Sequence, residues 1–354
     1  MSETPLPFRL EADCQWDILA LGEVMLRFDP GEGRIRNSRT FQVWEGGGEY
    51  NLARAARKCF GLRASIATAL PRNDIGALTE DLILQGGVDT SNILWREFDG
   101  IGRNTRVGLN FVERGFGIRP ALGVSDRGHS AASQMRPGDI NWDHVFGTCG
   151  VRWFHTGGIF AALSDSTTEM TLNAIEAARR HGTLVSYDLN YRPSLWAERG
   201  GSEGARALNR RIAAHVDILF GADGLGTPAL TGTPKDVIES VRNDFPNLKV
   251  IATTTRKAHT ANINDWQGFL WAGGDRVHAS RAFDGLDILD RVGGGDAFAS
   301  GIAYGLLTGK THSATVEYGT VHGALAMSTP GDASMASLAE VERALENQDA
   351  GVIR

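Results

Sequence analysis

Cysteine is scarce: three in 354 residues, Cys14, Cys59 and Cys149, are too few and too scattered for a disulfide framework or for the close pairs of zinc and redox motifs. That usage suits a reducing compartment, and the cytoplasm is the expected home. No run approaches the roughly 20 apolar residues that span a bilayer, and Met1 to Trp16 mixes acid, base and proline where a secretion signal would be apolar. No membrane partner is expected. Excess positive charge is lacking as well. A net charge of −6 argues against a nucleic-acid partner held by bulk electrostatics, while leaving room for a local basic cleft. Internal repeats and low-complexity linkers are missing, so the whole of 1–354 is read as a single domain.

What is present is an alternation. Apolar, β-branched runs at 17–21, 64–70, 151–155, 183–188, 216–220 and 249–253 read as buried strands. Helical patterns fall between them at 51–60, 167–181, 204–215 and 235–245. This predicts an α/β fold: a doubly wound, mostly parallel sheet flanked by helices, with ligands at the carboxyl ends of its strands. Two segments, 27–44 and 103–122, break the rhythm. The second alternates polar and apolar through Val107, Leu109 and Phe111. Both are expected to form a small β-sheet that closes over the site as a lid, long surface hairpins being the alternative.

Three clusters carry chemistry. In Asp290-Arg291-Val292-Gly293-Gly294-Gly295-Asp296, glycines run into an aspartate at the start of an apolar helix. Backbone N–H groups without side chains in the way, together with the positive end of the helix dipole, suit an anion such as a phosphoryl group. Asp296 would lie beside that anion, placed to take a proton from an attacking hydroxyl. A tight turn with an ordinary N-terminal aspartate is the alternative. Rows at Phe298, Ile302, Leu306 and at Ala299, Ala303, Leu307 give the helix a continuous apolar face.

Gly46-Gly47-Gly48-Glu49-Tyr50-Asn51 opens another helix, where backbone can approach a ligand and Asn51 offers both donor and acceptor; a capped helix start explains it equally well in isolation. Asp188-Leu189-Asn190-Tyr191-Arg192 leaves the end of a strand, and Arg192 could grip a carboxylate or phosphate bidentately, or a structural acid. Gly305 to Thr311 superficially looks like a phosphate-binding loop, but its glycines are one residue too close and it ends a helix instead of opening one. It reads as a Gly C-cap with Lys310 at the negative helix end.

In order and character the three clusters resemble the PfkB, or ribokinase-like, sugar kinases, and most of all the 2-keto-3-deoxygluconate kinases, from about residue 17 to 332. The resemblance implies a ribokinase-like fold, ATP and Mg²⁺ as cofactors, and a small-molecule sugar or sugar acid as substrate. Asp296 would be the catalytic base, and the N–H groups around Gly293, Gly294 and Gly295 the anion hole. Gly47, Gly48 and Asn51 would hold the sugar. Arg192 would lie between sugar and nucleotide phosphates. Arg127, before Ser130-Ala131, is similar to an arginine that helps bind an acidic sugar. Asp29 is a weaker match to an early sugar-binding acid. Asn190, Arg192, Gly293 and Gly295 would face the nucleotide, with Thr253, Thr255 and Arg256.

The chain departs from the family at two places. Where most members carry Asn-x-x-Glu, which organises magnesium and phosphate waters, this chain reads Gly221-Ala222-Asp223-Gly224-Leu225, and no metal ligand is assigned. The usual glycine-containing nucleotide loop is replaced by Thr253-Thr254-Thr255-Arg256. The expected function is ATP-dependent phosphorylation of a primary hydroxyl on 2-keto-3-deoxygluconate or a related keto-acid sugar. Open alternatives are a kinase for another sugar or a nucleoside, or a weakly active sugar- or nucleotide-binding protein. A homo-oligomer is expected, with the lid as its contact.

Overall fold

A computed structural model describes residues 6–222, 225 and 232–346. Its strands run β1 Trp16–Leu21, β2 Met25–Asp29, β3 Gln42–Gly46, β4 Ala64–Pro71, β5 Ile93–Arg96, β6 Leu109–Glu113 and β7 Leu122–Asp126. They continue as β8 Val151–Gly157, β9 Leu184–Asp188, β10 Ile218–Phe220, β11 Val250–Ala258, β12 Ile263–Trp271, β13 Val277–Ala279 and β14 Phe283–Asp287. The α-helices are α1 Gly48–Lys58, α2 Asp74–Gln85, α3 Gly158–Ala161, α4 Asp165–Arg180 and α5 Pro193–Trp196. After them come α6 Gly201–Ala213, α7 Pro234–Asp244, α8 Gly294–Leu307, α9 His312–Ala326 and α10 Leu338–Leu345.

The large sheet has the order β13-β12-β11-β10-β9-β8-β1-β4-β5, with β14 also paired to β12. From β11 to β5 every pairing is parallel, and the β12–β14 edge is antiparallel. Strands buried on both faces explain the unbroken apolar runs. In β1, Leu19 and Leu21 belong to the core on the face that carries α4, α6 and α7, while Ile18 belongs to the core on the opposite face with α1, α8 and α9. The expected strands and helices are all found, with ends displaced by up to three residues except in β11, which runs five residues past its expected end.

The small sheet forms as expected from separated segments, in the order β3-β2-β6-β7 with β2 and β6 parallel. Its second segment runs past 122 to Asp126. The sequence hides this strand because all five residues of β7 are exposed and show no inward alternation. Two rows cross the sheet in register. Trp44, Arg27, Asn110 and Ser125 form one, and Val43, Phe28, Phe111 and Val124 form the other, on the opposite face.

Helix α8 is buried all round from Ala297 to Leu307, more than the single apolar face predicted. Small residues permit this. A Cβ on Gly301 would lie 2.7 Å from Gly319 Cα in α9, and one on Gly305 would lie 2.6 Å from Thr315 Oγ1. The C-terminus behaves as read from sequence: Gly309 takes φ +69° and Lys310 lies over the rings of Tyr304 and Tyr318. Because the α8–α9 approach leaves no room for a methyl group, Gly301→Ala is expected to lower unfolding stability by about 1–3 kcal/mol in urea titrations.

Candidate active site

The N-terminus of α8 is shaped by one close contact. Gly293, its N-cap, takes φ +79°, and a Cβ there would stand 1.8 Å from the Asp332 carbonyl oxygen. Only glycine fits. The turn leaves the N–H groups of Gly294, Gly295 and Asp296 in the first helical turn, where no intrahelical acceptor exists. Nothing lies within 4 Å of a Cβ on Gly295, so this face is open. Gly294 instead packs on Met327 and contributes backbone only.

Asp296 projects from that turn, half-buried, and its Oδ2 accepts a 2.7 Å hydrogen bond from Asn51 Nδ2. Asn51 is placed by the second glycine cluster. Gly47 N–H donates to Asn51 Oδ1 at 3.3 Å, and a Cβ on Gly47 would collide with the Glu23 carbonyl at 2.0 Å. Helix α1 consequently starts at Gly48, three residues earlier than predicted. The third cluster arrives from the end of β9. Asn190 adopts φ +28°, a left-handed backbone uncommon outside glycine, and its Nδ2 would be 3.3 Å from a Cβ on Gly48, with Asp296 Oδ1 at 3.6 Å. A bare Gly48 thus leaves a gap between Asn190 and Asp296.

These residues line one cavity of about 690 Å³ at the carboxyl ends of the strands. Gly47, Gly48, Asn51, Arg127, Asn190, Arg192, Arg256, Gly293, Gly295 and Asp296 all reach it. So do Asp188, Arg291 and Asp332, to which the sequence reading gave no role, and Asn110 and Ser125 from the small sheet. Thr253 and Thr255 do not. Thr253 is buried in the sheet, and Thr255 opens onto a neighbouring depression with Asp265 and Trp266 that Arg256 also borders. Asp29 is fully buried and bonded to Arg27 and Gly31 N–H, away from the cavity. The suggested stand-in Asp223 lies outside the described residues.

Charge is unevenly distributed. Burial pushes the Asp296 carboxyl up to about 7, with Asp188 adding to the rise and Asn51 and Arg192 opposing it. Asp188 is raised to about 6, chiefly by burial. Glu49, quoted in the sequence motif without a role, is buried with its carboxyl against Gly22 and Gly157, and burial lifts it to about 8 with help from Asp296 and Asp188. Opposite these acids stand guanidinium groups. Arg127 is bound to buried Glu23. Among the described residues Arg192, Arg256 and Arg291 have no carboxylate within 4 Å. Burial and the neighbouring Arg291 both depress the Arg256 pKa, the mark of a cationic pair awaiting an anion.

A helix N-terminus with open N–H groups, unpaired cations and an adjacent carboxylate near neutrality is suited to moving a phosphoryl group onto a hydroxyl. The profile of the pfkB family carbohydrate kinases matches residues 16–338. The chain belongs to that family. It is thus a sugar kinase with a ribokinase fold. Over 341 residues this kinase is 28% identical to a 2-dehydro-3-deoxygalactonokinase of Haloferax volcanii, covering 96% of this chain and 99% of the relative. The crystal structure of 2-dehydro-3-deoxygluconokinase from Thermotoga maritima superposes with a TM-score of 0.84 at 30% identity, covering 93% and 99% of the two chains. An E. coli protein designated ribokinase II, solved with ATP and Mg²⁺, shares the fold at 15% identity, with a TM-score of 0.75 over 94% and 100%. Among the described residues no helix is long and apolar enough to cross a membrane.

The raised carboxyls of the kinase make a stability prediction. Groups that hold protons more tightly when folded lend stability that is complete below the unfolded carboxyl pKa of about 4 and is lost as pH rises through the folded values. His155 and His322, both depressed by burial, exert their effect below about pH 6.5 and leave the range above it clear. The melting temperature of the ligand-free kinase should therefore fall from about pH 6.5 to 8.5 as Asp296 and Glu49 ionise. Glu49→Gln should flatten that decline in differential scanning fluorimetry; parallel curves would contradict the assignment.

Proposed function

We propose that this sugar kinase transfers the γ-phosphoryl group of ATP to the primary hydroxyl of 2-keto-3-deoxygluconate or a closely related keto-acid sugar. The observation that carries the reaction is Asp296, hydrogen-bonded to Asn51 in the first turn of α8 beside the open N–H groups of that turn. Its carboxylate accepts the hydroxyl proton as the sugar oxygen reaches phosphorus. The backbone N–H groups around Gly293, Gly294 and Gly295 hold the phosphoryl oxygens, and Arg192, Arg256 and Arg291 draw the polyphosphate chain toward them.

The cavity fits such a group: the cradle at Gly293 admits no side chain, and Arg192, Arg256 and Arg291 lack carboxylate partners among the described residues. Bound Mg²⁺ supplies neutralisation of phosphate charge. Among the described residues no three His, Cys, Asp or Glu side chains gather into a metal site. On the sugar side lie Gly47, Gly48, Asn51 and the small sheet, which acts as a lid over the cavity in a single-domain enzyme. Arg127 and Arg192 supply cations for a substrate carboxylate. The names of the two relatives, both kinases of 2-dehydro-3-deoxy sugar acids, support the acidic substrate class. Free cysteines fit a cytoplasmic enzyme.

An ATP-coupled assay over a panel of aldoses, nucleosides and 2-keto-3-deoxy acids should show turnover on the acids, and Asp296→Asn should lower kcat by about a thousandfold. Undiminished turnover by that variant removes the base assignment. Since the carboxylate is the active form, kcat/KM for the sugar should climb with pH and level off above about 7.

The outer face of the small sheet supports self-association. The row Val43, Phe28, Phe111 and Val124 is apolar on every strand, with Val43 37% and Val124 47% exposed. Phe28 and Phe111 stack at 5.0 Å between ring centres. Two copies joined through this face would cover it. Sedimentation should find a dimer that Val124→Glu converts to monomer; a wild-type monomer at micromolar concentration would refute the contact.

A further inference from the structure

Arg27 is 1% exposed and sits on β2, away from the cavity surface, yet its guanidinium ties two segments distant in sequence to its own strand. Nη1 donates to Asp332 Oδ1 at 2.6 Å, and Nη2 donates to Asp29 Oδ2 at 3.1 Å and to Asp290 Oδ2. Each of the two distant acids touches the anion hole. The other oxygen of Asp290 accepts the Val292 N–H at 3.1 Å, gripping the backbone one residue before Gly293. Asp332 presses its carbonyl onto Gly293, and its carboxylate lies where a side chain on Gly46 would be. A single buried cation therefore fixes the loop that aims the N–H groups and the strand end that leads into α1.

The opposite end of the connection is the sugar-facing surface. Arg27 is in register with Asn110 on β6, and Asn110 with Ser125 on β7, where Ser125 Oγ donates to Asn110 Oδ1 at 3.1 Å. Asn110 and Ser125 line the cavity. A ligand that draws β6 and β7 inward moves the strand whose side chain holds Asp290 and Asp332. Three buried carboxylates around one guanidinium make the link stiff, because releasing any of them leaves a buried charge unpaired.

We propose that Arg27 is a positioning residue that couples the sugar-facing sheet to the anion hole, so that sugar bound at one tightens phosphate binding at the other. This rests on the kinase reading given above. Coupling between two bound ligands is the readout, because a purely structural role would not move it selectively.

The experiment compares wild type with Arg27→Lys, which keeps the charge but cannot span both distant acids with two nitrogens. Calorimetry measures the affinity of AMP-PNP with Mg²⁺ in the absence and presence of saturating 2-keto-3-deoxygluconate. In wild type the sugar acid should tighten the nucleotide analogue about tenfold. In the variant each ligand alone should bind nearly as before, the ratio should fall to about one, and kcat should drop about a hundredfold with the sugar KM little changed. Should Arg27→Lys not fold, Asp290→Asn severs the same arm and is read identically. Wild-type coupling and kcat in the variant overturn the proposal. So does equal loss of both separate affinities with the melting temperature, the pattern of general unfolding. Phosphorylation of the sugar acid by wild type with no coupling refutes the role of Arg27 alone, whereas failure of wild type to phosphorylate it refutes the kinase reading beneath.

Discussion

The contact between the Asp332 carbonyl and Gly293 governs this site, because it dictates the left-handed turn from which α8 begins. With the turn fixed, the first N–H groups of the helix point into the cavity and Asp296 follows on the same face. Segment 331–336 is itself pinned from behind. His322 joins Ala297 O at 2.8 Å and Ser334 Oγ at 2.9 Å, and Arg54 donates to Ser334 O at 3.0 Å. Helices α1, α8 and α9 thus hold the loop together, and a catalytic arrangement made largely of glycine backbone acquires the rigidity that glycine alone does not supply.

Electrostatics adds a second constraint. The cavity holds acids whose neutral forms are favoured by burial and, among the described residues, cations with no acid partner, an arrangement that bound polyanion would rebalance. In the proposed reaction Asp296, near neutrality, would serve as a base at ordinary pH, where an unperturbed aspartate would be a weak one. The same burial would also strengthen every hydrogen bond made to bound phosphoryl oxygens.

Much of this was legible in the sequence because the parallel strands are buried on both faces and read as unbroken apolar runs. The glycine clusters were legible for a different reason: close backbone approach excludes every other residue. Strand β12 was not. Its fully buried positions are Asn264, Trp266, Gly268 and Leu270, while Ile263, Phe269 and Trp271 on the other face are only partly buried, so polarity and burial are out of step. The residues that line the cavity were legible where they cluster locally and not where they come together from a distance. Nothing along the chain connects Arg27 to Asp290 and Asp332, since the pairing exists only once β2 is packed beside the loop. That Arg256 lines the cavity while Thr253 and Thr255 do not depends on how the end of β11 is packed, which composition alone does not record.

The glycine-lined seam between α8 and α9 also has a genetic consequence. A Cβ on Gly323 would stand 2.9 Å from the Gly294 carbonyl oxygen, so a methyl group on α9, outside the cavity, presses directly on the helix start that forms the anion hole. Loss-of-function substitutions collected without regard to position would therefore accumulate along α9 as densely as at the ligand surface. Drift at one glycine of the seam would be tolerated only with a matching change across it.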